Sequence, residues 1–230
     1  MHREQSTIQD LSRALAQQFD LKVRPLCVYG SHFAPKEGIH ASTVTNCIAS
    51  AMFRLAKGAI HGQLYVADVK GRPVCRCVGG RTWFGFSSHF DSSLCEQMVS
   101  KALKADIATA AETFRSVGKI SPIGRYVVIS CCEDLHEDPG VRCIACFAEA
   151  AKIRDMCNSV HFHAREILGH ISVPWGPSCA TLVTYPAGMA ENVPQDCIFL
   201  GPVDPSAKEW LPDGYLALGI PIDIARMLIL

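Results

Sequence analysis

The chain has 230 residues with 22 basic and 22 acidic side chains, 49% hydrophobic residues and twelve cysteines. Balanced charge without a basic run excludes a field that would gather nucleic acid or an anionic membrane, and the apolar content excludes a disordered chain. With no apolar segment near Met1 and none long enough to span a bilayer, a cytoplasmic protein is expected, its cysteines reduced and not paired in disulfides.

Ile8, Leu11, Leu15 and Phe19 recur at helical spacing behind Ser6 or Thr7 as cap. Lys22 to Tyr29 alternates and closes on Gly30-Ser31, which predicts a strand, and His32 to His40 reads as an exposed connection. A helix capped by Ser42 or Thr43 is expected to run to Lys57-Gly58, with Cys47, Ala51 and Arg54 on nearly one stripe. Gln63 to Val69 reads as a strand and Gly71-Arg72-Pro73 as a turn. Cys75 to Gly80 then forms a cysteine–glycine loop, with Arg81 placed to face an anion. Trp83, Phe84 and Phe86 read as core. Asp91 to Ala111 is helical in two pieces divided near Lys104-Ala105-Asp106, and Ser116 to Gly124 is the expected seam between halves.

The second half opens on a strand, Arg125 to Cys131, followed by an acidic loop from Glu133 to Gly140. Cys143 to Asn158 is predicted as a second long helix, with Cys143, Cys146 and Ala150 along one face and Arg154 late in it. His161-Phe162-His163 falls where a paired strand is expected, its imidazoles on the wet side. Pro174 to Cys179 is the second cysteine–glycine loop. Cys197 to Leu200 and Gly214 to Ile220 read as strands joined by the proline-rich stretch Gly201 to Asp213, and Ile222 to Leu230 as a short terminal helix.

An α/β or α+β fold follows. The order strand, helix opening on Cys-Ile-Ala, strand, cysteine loop occurs twice, at Cys47-Ile48-Ala49 and Cys143-Ile144-Ala145. Two pseudo-repeated lobes are therefore expected, over residues 1–120 and 121–230, forming one compact unit with the cysteine loops near their interface.

Three functions compete for these residues. A metal or iron–sulfur site is the leading candidate, because thiolates are soft ligands and Cys143-Ile144-Ala145-Cys146 has a spacing that lets two of them reach one metal. Its candidate ligands are Cys47, Cys77, Cys143, Cys146 and Cys179, its cofactor an iron–sulfur cluster or zinc, and its partner a redox protein. The second candidate is a module without a cofactor whose cysteines only pack. It would hold a small anionic molecule through Arg54, Arg81 and Arg154 and the glycines Gly79, Gly80 and Gly176. The third is a thiol enzyme using Cys77 or Cys179 as nucleophile, with no histidine close by in sequence to serve as base. No phosphate-binding loop, dinucleotide fingerprint, nucleophile elbow or His-Glu-x-x-His motif is present, which disfavours nucleotide-driven and common hydrolytic chemistry. A homo-oligomer remains open.

Cys47 at the head of a helix, Cys77-Val78-Gly79-Gly80 followed by Trp83-Phe84-Gly85-Phe86, and Pro174-Trp175-Gly176-Pro177-Ser178-Cys179 with Tyr185-Pro186 occur in that order. Together with the closing stretch Asp213 to Met227, they resemble the Domain of Unknown Function 169 family of archaeal and bacterial proteins from about Lys22 onward. The resemblance implies a cytoplasmic prokaryotic protein, often from anaerobes, and implies no reaction. Cys75, Cys131, Cys132, Cys143, Cys146 and Cys157 match no family motif individually.

Overall fold

The computed structural model describes residues 7–77, 79–87 and 92–229; Ser6, Val78, Asp91, Leu230 and the side chain of His163 lie outside the described residues. Helix α1 (Ile8–Gln18) opens on Thr7. The Thr7 hydroxyl accepts from the Asp10 N–H while the Asp10 carboxylate accepts from the Thr7 N–H, a reciprocal cap that fixes the start. Strand β1 (Leu26–Ser31) follows, and then β2 (Ile39–His40), a two-residue strand inside the expected connection.

The single helix expected from Ser42 is two helices, α2 (Ala41–Val44) and α3 (Ile48–Ala56). His40, not Ser42 or Thr43, caps α2 through its ring nitrogen. Between the two helices Thr45 is extended. Its hydroxyl donates to the Cys47 carbonyl at 2.6 Å and accepts from the Cys47 N–H at 3.1 Å. Such local side-chain bonds compete with the helix ladder and break it here.

Strand β3 (Leu64–Val66) leads to α4 (Gly80–Trp83), α5 (Ser92–Ser100) and α6 (Ile107–Val117). Asp106 caps α6 with a 2.7 Å bond from the Thr109 N–H, which divides the helical stretch where the sequence indicated. Strand β4 (Tyr126–Cys131) also falls as expected.

The largest departure comes next. Residues Val141–Glu149 are a nine-residue strand, β5, and helix α7 (Ala150–His163) begins only after it. Val141 and then Cys143 through Ala148 are all buried, because both faces of the strand are covered. A strand buried on both faces loses its period-two signature, and its run of small apolar residues mimics a buried helix. His161 consequently sits on a helix and not on a strand. The chain finishes with β6 (Ile171–Ser172), a π-helical turn over Ala180–Thr184, β7 (Ile198–Gly201), a 3-10 turn over Pro205–Glu209, β8 (Tyr215–Pro221) and α8 (Ile222–Met227).

All eight strands form one sheet in the order β2-β3-β4-β1-β5-β8-β7-β6, so the fold is mixed α+β. Pairing is antiparallel except at the two ends, where β2–β3 and β6–β7 are parallel. Outward from the central β1–β5 pair the strands run β1-β4-β3-β2 on one side and β5-β8-β7-β6 on the other, with the same pairing senses. The chain forms one compact unit built on this single sheet. The sheet runs through the division expected at residue 120, since β4 lies between β3 and β1. The two Cys-Ile-Ala stretches also differ in structure: Cys47 heads a helix, whereas Cys143 lies within a strand.

The sheet separates two cores. Helices α3 to α6 and the π-helical turn cover one face, which carries Leu26, Val28, Val127, Ile129, Cys143 and Phe147. Helices α1, α7 and α8 cover the other, which carries Cys27, Val128, Ile144, Cys146, Leu218 and Ile220. Among the described residues no helix is long and apolar enough to cross a membrane.

Candidate functional site

On the α3–α6 side a cavity of about 190 Å³ opens, and Cys47, Cys77 and Cys179 all line it. Each thiol is delivered by a different local device. Cys47 is the residue before α3, held extended by its two bonds with Thr45. Cys77 comes from the loop after β3, which is tied to the segment before α3 by the Arg76 N–H donating to the Asn46 carbonyl at 3.2 Å. Cys179 stands at the head of the π-helical turn, an irregular helix form often found at functional sites.

The cavity's remaining wall is mainly apolar: Trp83, Met98, Leu103 and Trp175 face it. Trp83 is fixed from behind by the Phe114 ring at 5.4 Å and by its carbonyl, which accepts from the Thr184 hydroxyl at 2.7 Å. Lys101 lies at the wall, and the Lys104 ammonium sits 3.9 Å from the centre of the Trp175 ring, a cation–π contact. Asp204 reaches in from the β7–β8 connection, its Oδ2 accepting from the Ser178 N–H at 2.8 Å and from the Ser178 hydroxyl.

Burial pushes the Cys47 thiol from an ordinary value near 9 up to about 11, and negative charge on Cys77 and Asp204 adds to the shift. Cys77 is raised further, first by its contact with the Cys75 thiol and then by burial. For Cys179 burial acts first, followed by Cys77, Cys47 and Asp204. All three thiols are therefore held protonated at neutral pH, Cys47 being opposed as a thiolate by Cys77, and Cys179 by both Cys77 and Cys47.

Two of the five expected metal ligands are not at this site. Residues three apart on a strand point to opposite faces, so the sheet itself parts Cys143 from Cys146. Cys143 faces the α3–α6 side but is fully buried outside the cavity, its thiol donating to the Leu182 carbonyl at 3.8 Å. Cys146 packs beneath α1, α7 and α8. The two-residue spacing suggested a pair, and within a straight strand it sends the two thiols to opposite faces. Among the described residues no group of three or more His, Cys, Asp or Glu side chains stands arranged to hold a metal ion.

The arginines expected to hold an anion do not line the cavity either. Arg54 is exposed on α3, Arg81 pairs with Asp68 and donates to the Phe86 carbonyl, and Arg154 pairs with Asp155 at 3.0 Å on α7. The glycines have structural tasks. Gly79 precedes α4 in a left-handed conformation. A side chain on Gly80 would stand where the Cys75 sulfur is. Gly176 does line the cavity, and the Tyr185 hydroxyl lies against it where a Cβ would project. Lys101 and Asp204 were not foreseen as site features, and Ser178 only as part of its loop. Asp204 sits in a proline-rich connection with nothing in its neighbours to mark it, and Lys101 follows a helix end like many solvated lysines.

The family model for DUF169, described as uncharacterised ArCR, matches residues 14–229. No curated protein and no solved structure matches the chain.

Proposed function

The chain belongs to the DUF169 family, and from the site itself we propose that it binds a soft metal ion or an iron–sulfur cluster through Cys47, Cys77 and Cys179. The observation that supports this is the convergence of three thiols from distant parts of the chain on one cavity. Thiolates suit iron–sulfur clusters, zinc and copper(I), and a bound cation would offset the burial and the neighbouring negative charge that otherwise keep these thiols protonated. The donor chemistry fits such a group, while three thiols alone do not complete a four-donor set. The fourth donor would be Asp204, which already faces the cavity, or a ligand from solution. When bound, the group would supply electron transfer if a cluster or a Lewis-acid centre if zinc.

A second occupant is favoured by one observation. Trp83, Met98, Leu103 and Trp175 make most of the wall apolar, with Lys101 and Lys104 near it. An organic anion with an apolar body would fit that wall with no metal present.

Metal and acid-labile sulfide analysis with a visible spectrum, on protein purified without oxygen, tests the metal reading. Bound metal should fall in Cys47→Ser, Cys77→Ser and Cys179→Ser and persist in Cys146→Ser. A folded, colourless protein that takes up neither zinc nor iron and sulfide on anaerobic reconstitution would overturn it and favour the organic anion.

A further inference from the structure

Cys75 and Cys77 bring their sulfur atoms to 2.7 Å. Non-bonded heavy atoms ordinarily settle at about 3.5–4.0 Å, whereas a disulfide bond is about 2.05 Å. The two thiols thus stand well inside ordinary packing distance and closer to bonding distance than to it. The loop holds them there. The Arg76 N–H between them is anchored to Asn46, and the bare Cα of Gly80 leaves space that only the Cys75 sulfur fills. The members of the pair differ in access, for Cys75 is buried while Cys77 is half-buried and lines the cavity.

We propose that Cys75 and Cys77 are a redox-active dithiol that closes to an internal disulfide by exchange with a low-molecular-weight disulfide. The Cys77 thiol loses its proton to solvent and attacks one sulfur of the incoming disulfide. The sulfur–sulfur bond of that molecule breaks, and one thiolate leaves and takes up a proton. The Cys75 thiolate, its proton likewise lost, then attacks the Cys77 sulfur, expels the second thiol and forms the Cys75–Cys77 bond. The protein loses two protons and two electrons, which the small disulfide takes up as it becomes two thiols.

The proposal goes beyond metal binding and does not require it. If the three-thiol reading also holds, ring closure removes Cys77 as a donor and couples that site to the thiol redox state.

The test treats the full-length, metal-free protein with glutathione disulfide, quenches with acid, alkylates and maps peptides by mass. A Cys75–Cys77 linked peptide should form and should open with dithiothreitol. Cys75→Ser should instead accumulate a mixed disulfide on Cys77. Gly80→Ala keeps both thiols but displaces the Cys75 sulfur, so it should stall at the same mixed disulfide. Free Cys75 and Cys77 in the treated wild-type protein, or closure in Gly80→Ala as fast as in wild type, would overturn the proposal.

Discussion

Ser178 directs both its backbone N–H and its hydroxyl at a single oxygen of Asp204, joining the second cysteine loop to the β7–β8 connection. The N–H bond is 2.8 Å long, and Ser178 itself is buried. Removing the carboxylate strands a buried donor pair beside Cys179. Asp204→Ala should therefore lower stability by about 1–3 kcal/mol, seen as a lower denaturant midpoint at unchanged slope. Asp204→Asn, which keeps an acceptor oxygen, should recover most of the loss.

Gly80→Ala tests close packing in the first loop. The new methyl must displace the Cys75 sulfur, and behind it lies the wall that includes Trp83. Overpacking of this kind costs about 1–3 kcal/mol, readable as a lower melting temperature. Gly71→Ala makes a useful contrast, because its left-handed backbone is strained by a side chain but nothing lies within 4 Å of the added carbon.

Stability should begin to fall in alkali from about pH 9, the ordinary thiol value. The folded Cys47 thiol is raised from near 9 to about 11, and Cys77 and Cys179 are also raised. An unfolded chain loses these protons first, so the contribution is complete below pH 9 and is lost as pH rises toward 11 for Cys47. Unfolding free energy measured against pH should bend downward across that window, and the bend should shrink in Cys47→Ser.

Cys146→Ser and Cys47→Ser should separate packing from ligation. Cys146 is buried under α1, α7 and α8, where a serine hydroxyl without a partner costs about 1–3 kcal/mol but leaves the cavity on the other face untouched. Cys47→Ser should cost less stability, since Cys47 is only half-buried, and should reduce metal retained after anaerobic reconstitution. Parallel melting curves and metal assays check the pair.

Legibility in the sequence tracked local determinism. Helix α1, the Asp106 break and strands β4, β7 and β8 carry their own caps, turns or alternation, and each appeared within a few residues of its expected place. The Cys143–Asn158 stretch misled because β5 is buried on both sides, and an apolar strand without alternation matches a helical template just as well. The strand also parts the Cys143–Cys146 pair that the spacing had suggested and makes the shared Cys-Ile-Ala stretches structurally unlike. Cys47, Cys77, Cys179 and Gly176 were identified as site residues because cysteine beside glycine or at a helix head is a local signal, and the structure places all four at one cavity. Asp204 and Lys101 reach it only through tertiary folding, for which the sequence holds no short-range mark.

The cavity's composition also sets a timetable. Cys47 and Cys77 leave the ribosome roughly 100 to 160 residues ahead of Cys179 and Asp204, which complete the enclosure. At roughly 5–20 residues per second that lag lasts on the order of 5–30 seconds. During it the nascent first half exposes two thiols, and Cys75 next to them, before their shelter exists. Strand β1 meanwhile waits for both of its neighbours, β4 and β5, which are made later still than the cysteines of the first loop. Whatever reaches those early thiols, metal or oxidant, therefore meets them in an order fixed by synthesis.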